Sequence, residues 1–191
     1  MLETHPPEIE QAAYIPLVAI REVPSEVAPL VEFMGLLPNS MRAYAHRPEI
    51  LRAFVDLEMA VLAQGTVSTL LKARVGYLVS RLNGCDYCAS HVGGRLRRSG
   101  DSEEAVACLL EPELDTGDEA TNAALRFARL AASGGDTESA VDAMSTHFTP
   151  SQIVELACVV GFFSWTNRVH DSLGLPIEPH FDAIGAHRIA R

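Results

Sequence analysis

Positive charge is scarce in this 191-residue chain. Lysine and arginine together number 15 against 25 aspartates and glutamates, the formal net charge is −10, and Lys72 is the only lysine. Nucleic acids and anionic membrane surfaces are bound through clusters of basic side chains. We therefore expect neither kind of partner.

Long apolar runs are also missing. The longest candidate, residues 156–165, is too short to span a membrane and is typical of a buried helix. Residues 1–10 are acidic and lack the basic stretch that precedes the apolar part of a signal peptide. These features predict a cytoplasmic protein.

The sequence shows no sustained alternation of apolar and polar residues, which excludes a strand-rich fold. Apolar residues instead recur at helical spacing, so we predict an all-α protein. The predicted helices cover residues 25–34, 38–44, 48 to a stop at 64–65, 67–82, the cysteine segment to 99, a segment from 101 around Cys108, 118–132, 136–148 and 149–173.

The chain offers no linker that would divide it into two domains. Four prolines in residues 1–24 predict an extended N-terminal arm that lies over the body or over a neighbouring subunit. Residues 25–191 are predicted to form one all-helical domain, which is long enough to bury a core.

In a reducing cytosol, four cysteines do not form a disulfide framework. Two of them, however, stand three residues apart. Cys85 and Cys88 occupy the predicted first turn of a helix, and His91 follows one turn later. The N-terminus of a helix stabilises a thiolate, and a Cys-x-x-Cys pair can close into a disulfide after oxidation. Cys108 and Cys158 lie in apolar helical patterns, where a free cysteine usually behaves as a small hydrophobe.

Two other interpretations of the pair remain open. A zinc site would need two more ligands, and because no second Cys-x-x-Cys is present, only His170 or His180 could join through the fold. An inert pair buried in the core is the other. For His91 the choice lies between a proton-handling role and a histidine satisfied by a local hydrogen bond, and for Tyr87 we favour packing.

The stretch from Val79 through Cys85, Cys88 and His91 resembles the signature of the alkylhydroperoxidase D and carboxymuconolactone decarboxylase family, in particular its peroxidase-related branch. Residues 35–39 and 47–49 resemble the approach to that signature. Residues 162–168 with Asp171 resemble a later Asn-Arg segment of the branch. The similarity spans about residues 30–178.

The resemblance implies a helical homo-oligomer, a dimer, trimer or hexamer, with no metal or other cofactor. It also implies an antioxidant peroxidase that takes a hydroperoxide substrate and is regenerated by a dithiol reductant. In redox-active members the second cysteine attacks the peroxide, which implies this role for Cys88 and a resolving role for Cys85. The helix dipole alone would favour Cys85 as the attacking sulfur.

Two departures from the family pattern predict slow turnover. Redox-active members carry a glutamate twelve positions before the first cysteine, where this chain has Ala73. His91 also stands one residue early, which moves it about 100° round the helix. Glu58 on the preceding helix is a candidate for the missing carboxylate, although an exposed glutamate is the simpler expectation. Asp86 and Asp171 are weaker candidates, and an ion pair between Arg168 and Asp171 would be structural.

The sequence therefore predicts a peroxidase-type oxidoreductase that cycles a Cys85–Cys88 disulfide, with His91 assisting proton transfer. Glu58 and Tyr87 are possible auxiliary residues. The alternatives are a carboxymuconolactone decarboxylase-like enzyme and a non-enzymatic redox sensor or oligomeric binding protein.

Overall fold

The computed structural model describes residues 13–178, and this part of the chain contains nine α-helices and no strand. The predicted all-α fold is confirmed. Short 3₁₀ turns at Ile20–Glu22 and Ser25–Val27 precede the first helix, and a π-helical turn at Met59–Ala63 extends the third. The helices are α1 Ala28–Met34, α2 Asn39–Tyr44, α3 Pro48–Glu58, α4 Thr69–Leu82, α5 Asp86–Arg98, α6 Glu103–Cys108, α7 Glu119–Ala132, α8 Glu138–Met144 and α9 Pro150–Ser172.

Local side-chain chemistry sets several of the helix starts. Asp118 caps α7, and Thr149 and Gln152 form a complete capping box at the start of α9. The start of α6 differs from the prediction, because Ser102 supplies the cap. Asp101 is instead drawn into a two-point ion pair with Arg74 of α4.

Helix α4 lies at the centre of the described structure and packs against α5, α7 and α9. Gly76 permits the close approach of α9, since a Cβ there would lie 2.2 Å from the ring of Phe163. With neighbours on several sides, α4 buries Arg81 as well as its apolar stripe. The central position of α4 lets it present the cysteine segment, which follows it directly, to the interior.

The described part of the predicted N-terminal arm lies against the body. The Tyr14 backbone N–H donates to the carbonyl of Leu173 at 2.9 Å, and Arg42 Nε donates to the carbonyl of Val18 at 2.9 Å. Residues 1–12 of that arm lie outside the described residues. So do residues 179–191 of the predicted domain, including His180.

No helix within residues 13–178 is long and apolar enough to cross a bilayer. The expectation that α9 is a buried helix holds for only one of its faces. Val154 is 62% and Trp165 44% exposed, and Cys158 between them is exposed too. Cys158, which the apolar pattern led us to expect as a small hydrophobe, lies on the outer face of the helix.

Candidate functional site

The cysteine pair lies where α4 turns into α5. Gly84 adopts a φ of 75°, a left-handed conformation that suits glycine and reverses the chain between the helices. Cys85 is the N-cap residue of α5 and Cys88 lies in its first turn, as the sequence predicts. Both cysteines are buried free thiols, and they come within 3.4 Å of each other. Their closeness allows a disulfide to form with little movement.

A histidine from the far end of the chain contacts the second cysteine. His170 Nδ1 of α9 lies 3.1 Å from Cys88 Sγ, and both side chains are buried. When Cys88 is a thiolate, the Nδ1–H of His170 donates to the sulfur. The sequence singled out His170 only as a conceivable zinc ligand, so this contact was missed.

Three neighbouring polar residues of α9 face the cysteine turn. Asn167 Nδ2 donates to Ser80 Oγ at 3.2 Å, and Asn167 Oδ1 accepts from Asn83 Nδ2 at 2.9 Å. Asn167 also lies close enough to Cys88, and Asp171 close enough to Cys85, to influence the pKa of the thiol. The spacing of residues 167, 170 and 171 puts all three on one helical face. Within residues 13–178 the structure shows no ion pair between Asp171 and Arg168, and Asp171 lies near the Cys85 thiol.

The two thiols have opposite acidities. Burial opposes ionisation of Cys88, but hydrogen bonds from Cys85, His170 and Asn167 and the charge of His170 outweigh it and hold the Cys88 pKa well below its usual range. The pKa of Cys85 is raised, chiefly because its thiol donates a hydrogen bond to Cys88 and because it is buried. Cys88 is therefore the thiolate of the pair and Cys85 its proton-bearing partner.

The predicted proton-handling residue, His91, is held by other groups. His91 Nδ1 lies 2.8 Å from the carbonyl oxygen of Tyr87, and Nε2 lies 2.8 Å from Glu178 Oε2. Burial disfavours the charged imidazole, but the hydrogen bond and the charge of Glu178 raise its pKa above the ordinary value. Both ring nitrogens thus face partners other than the thiols.

Glu178, the last described residue, forms hydrogen bonds and an ion pair with residues of this site. Its side chain is fully buried, and its Oε1 accepts from the Asn39 backbone N–H at 2.6 Å and from the Tyr87 hydroxyl at 3.0 Å. The Ser40 backbone N–H also donates to the Tyr87 hydroxyl at 3.1 Å. Tyr87 therefore takes part in a polar network as well as in the packing that the sequence predicts, where its ring contacts those of His91 and His170.

A cavity of about 350 Å³ opens onto Cys88. Its lining includes Cys88, His91 and His170 but not Cys85. Ala73, at the position of the family glutamate, lies in the cavity wall, and Glu58 of α3 lies in the same wall. Much of the remaining surface is aromatic and comes from Phe33, Phe54, Phe162 and Phe163. A bound molecule would meet the sulfur of Cys88 first.

Glu58 is buried in this wall, contrary to the expectation of an exposed side chain. Burial, together with the nearby Cys88 thiolate, raises its pKa to about 8, while His91 and Arg95 partly offset the effect. The carboxyl group is thus largely protonated at neutral pH and can donate a proton. Asp86 instead pairs with Arg81 at 3.1 Å, away from the thiols.

The structure therefore brings together Cys85, Cys88, His91, Tyr87 and Glu58, as the sequence suggested, and adds His170, Asn167 and Glu178. The sequence pointed to α9 through the Asn-Arg resemblance around residue 167 and through His170 as a conceivable zinc ligand, but neither placed His170 beside Cys88. Within residues 13–178, no group of three or more histidine, cysteine, aspartate or glutamate side chains is arranged to hold a metal ion.

Three solved structures of similar fold cover almost the whole chain. An uncharacterised peroxidase-related protein with an alkylhydroperoxidase core from Ralstonia eutropha JMP134 matches with a TM-score of 0.78 and 22% identity, over 94% of this chain and 98% of its own. A peroxidase-related protein from Silicibacter sp. TM1040 matches with 0.77 and 23% identity, over 90% and 94%. The debrominase Bmp8, in complex with 2,3,4-tribromopyrrole, matches with 0.78 and 22% identity, over 87% and 92%.

The sequence comparisons are narrower. No curated protein matches this chain. The sequence pattern of the carboxymuconolactone decarboxylase family matches residues 48–130, which run from α3 into α7 and include both site cysteines. Residues 48–130 are thus similar to the carboxymuconolactone decarboxylase family, and the fold is similar to that of structures with an alkylhydroperoxidase core.

Proposed function

We propose that this protein is a thiol peroxidase that reduces organic hydroperoxides through a Cys85–Cys88 dithiol–disulfide cycle. The observation that carries the proposal is the contact of Cys88 Sγ with His170 Nδ1 at 3.1 Å beside the cavity. A buried thiolate with a cationic or hydrogen-bonding partner is the nucleophile that peroxide chemistry needs.

In the first step the Cys88 thiolate attacks the terminal oxygen of the hydroperoxide. The O–O bond breaks, Cys88 becomes a sulfenic acid, and the leaving alkoxide takes a proton to become an alcohol. His170 stabilises the thiolate before attack. Glu58 supplies the proton, since its raised pKa keeps it protonated at neutral pH.

In the second step Cys85 attacks the oxidised sulfur of Cys88. The Cys85 thiol passes its proton to Asp171, a new S–S bond forms, and the hydroxyl group leaves as water after taking up a proton. An external dithiol then reduces the disulfide. The sum is one hydroperoxide and one dithiol converted to one alcohol, one water and one disulfide.

In this proposal Glu58 replaces the family glutamate that is missing at Ala73. The two positions lie on different helices, but both line the cavity that contains Cys88. A carboxyl group on α3 can therefore donate a proton into the same cavity as a carboxyl group on α4 would. The predicted slow turnover then depends on how well Glu58 meets the leaving oxygen.

Reductive dehalogenation is a second candidate. The aromatic wall of the cavity suits a halogenated ring, and a debrominase shares the fold. Transfer of bromine from the ring carbon to the Cys88 thiolate, protonation of that carbon and displacement of bromide by Cys85 would yield the same disulfide. Both reactions remove two electrons from the Cys85–Cys88 pair, so the same external dithiol would reduce the disulfide after either one.

The decisive experiment measures hydroperoxide consumption with dithiothreitol as reductant. We expect Cys88→Ser to abolish the catalysed rate and Cys85→Ser to lower it, because dithiothreitol must then reduce the sulfenic acid of Cys88 directly instead of through the Cys85–Cys88 disulfide. Cys158→Ser is the matched control, since this cysteine is exposed and lies outside the cavity lining. Equal rates in all four proteins would refute the proposal.

Thiol titration separates this enzyme from the non-catalytic interpretations. In the Cys158→Ser protein, a thiol reagent should modify Cys88 rapidly at neutral pH. If neither site cysteine reacts in the folded protein, the redox interpretations fail and an inert buried pair remains.

A further inference from the structure

We infer that the cavity selects an amphipathic organic anion, whose anionic group binds Arg95 while its reactive bond lies against Cys88. The inference rests on the proposed function, because it names the class of substrate that the same site takes. It follows from the size of the cavity, from the position of Arg95 and from the spacing of the two residues on α5.

The cavity is larger and less polar than hydrogen peroxide requires. At about 350 Å³ it lies near the lower end of the range of about 300–1,000 Å³ that is typical of small-molecule sites. Four phenylalanine rings contribute to its wall, along with Met34, Leu62 and Val92. Such an apolar wall favours a ligand with an apolar part, because binding then removes apolar surface from water.

Arg95 places a positive charge in this apolar wall. The side chain is half-buried, and its guanidinium carbon lies 4.2 Å from the centre of the Phe33 ring. Among residues 13–178 it forms no ion pair with a carboxylate. Lys72, the other buried cation of the lining, is by contrast paired with Glu155 at 2.6 Å.

The two carboxyl side chains of the cavity lining, Glu58 and Glu32, do not neutralise Arg95. Glu58 is mostly protonated at neutral pH, since burial raises its pKa to about 8. Glu32 and Arg98 lie at the exposed rim. A partly desolvated guanidinium without a counterion is unfavourable, and a carboxylate that enters the cavity offsets this cost through paired hydrogen bonds.

The spacing along α5 limits the shape of the substrate. Cys88 and Arg95 both line the cavity and stand two helical turns apart, a rise of about 10 Å. Long side chains on a helix generally lean toward its N-terminus, which shortens this gap. A molecule that reaches both residues must still separate its anionic group from its reactive bond by several carbon atoms, as a mid-chain fatty-acid hydroperoxide does.

The kinetic test compares linoleic acid hydroperoxide with its methyl ester. We expect a KM at least about tenfold lower for the acid, and we expect Arg95→Gln to remove this difference by raising the KM of the acid while kcat stays similar. Arg95→Lys should keep part of the preference. Arg52→Gln is the control, since Arg52 is exposed and pairs with Glu26 outside the cavity. Equal KM values for acid and ester in the wild type would overturn the inference.

A binding test separates this inference from the proposed peroxidase activity. Calorimetry with the reduced wild-type protein should show binding of decanoate but much weaker binding of decan-1-ol, and Arg95→Gln should abolish the difference. Decanoate binding in a protein that consumes no peroxide would refute the peroxidase and leave the anion site standing. Peroxide consumption by a protein that binds decanoate no better than decan-1-ol would refute the anion site and leave the peroxidase activity standing.

Discussion

His170 Nδ1 lies 3.1 Å from Cys88 Sγ, although 82 residues separate the two in the chain. The histidine that follows the cysteine pair by one turn, His91, instead binds Glu178 and the carbonyl of Tyr87. His170 thus contacts the sulfur, whereas His91 binds the polar groups around it. This division leads to the first two predictions.

Replacement of His170 should affect the chemistry directly. We expect His170→Gln to lower kcat/KM for hydroperoxide by about 100-fold, since loss of a positioned hydrogen-bond donor to a reacting charge typically costs about 10²–10³ in rate. The pKa of Cys88, followed by the rate of alkylation against pH, should rise in the same variant because the stabilising contact is lost. His91→Gln is the matched control, for which we expect a much smaller change in that pKa. A larger loss of thiolate in His91→Gln than in His170→Gln would contradict the assignment.

Replacement of Glu178 should affect stability. Removal of one partner of a buried ion pair costs about 3–5 kcal/mol, so Glu178→Ala should lower the free energy of unfolding by a similar amount, measured by urea denaturation at pH 5.5. Glu178→Gln should recover part of the loss, because an amide oxygen can still accept from Asn39 and Tyr87. A stable Glu178→Ala protein would show that the contact is unimportant.

The same ion pair gives a pH dependence with a definite sign. The pKa of Glu178 is lowered by His91 from its ordinary 4.5, so its contribution to stability is present above pH 4.5 and is lost as pH falls further. The pKa of His91 is raised from 6.5, so its contribution is present below pH 6.5 and is lost as pH rises. The pair should therefore stabilise most between pH 4.5 and 6.5, and Glu178→Gln should flatten this optimum.

Glu58 should contribute a different pH dependence. Its pKa is about 8 in the folded protein against an ordinary 4.5, so the folded state holds this proton more tightly and loses stability as pH rises from 4.5 through 8. We expect Glu58→Gln to remove this loss, with a difference in slope of up to about 1.4 kcal/mol per pH unit. Asp56→Asn, an exposed change on the same helix, should not alter the slope.

Glu58 should also shape the rate profile. If it protonates the leaving alkoxide, kcat/KM in the wild type falls as pH rises through about 8, and Glu58→Gln lowers the plateau and loses that inflection. Stopped-flow measurement of peroxide consumption between pH 6 and 9.5 tests this. An unchanged inflection in Glu58→Gln would assign it to another group.

We propose that the protein forms a homo-oligomer through the exposed apolar stripe of α9. Val154, Cys158, Gly161 and Trp165 share that face, and large apolar side chains at such exposure are typical of subunit contacts. Val154→Glu should shift the mass measured by light scattering toward that of one chain. Leu130→Glu, an equivalent change of an exposed leucine on α7, should leave the mass unchanged. A wild-type protein that is already a monomer would refute the proposal.

Local patterns predicted most of the helical framework because their causes are local. Thr149, Pro150 and Gln152 specify the start of α9 within four residues, and Gly84 specifies the turn before Cys85. The exposure of side chains was harder to predict. Glu58 was expected to be exposed and is buried, whereas Cys158 lies in an apolar pattern and is exposed, because helical spacing gives the faces of a helix but not which of them another helix covers.

The sequence by itself determined the all-α class, the helix boundaries to within a few residues, and the pairing of Cys85 with Cys88 at a helix start, since each depends on residues close together in the chain. Only the tertiary structure decided that His170 contacts Cys88, that Glu178 forms an ion pair with His91, and that Glu58 and Arg95 line one cavity. These contacts join α9, the end of the described chain, α3 and α5, and they exist only because packing of the apolar faces around α4 brings those segments together.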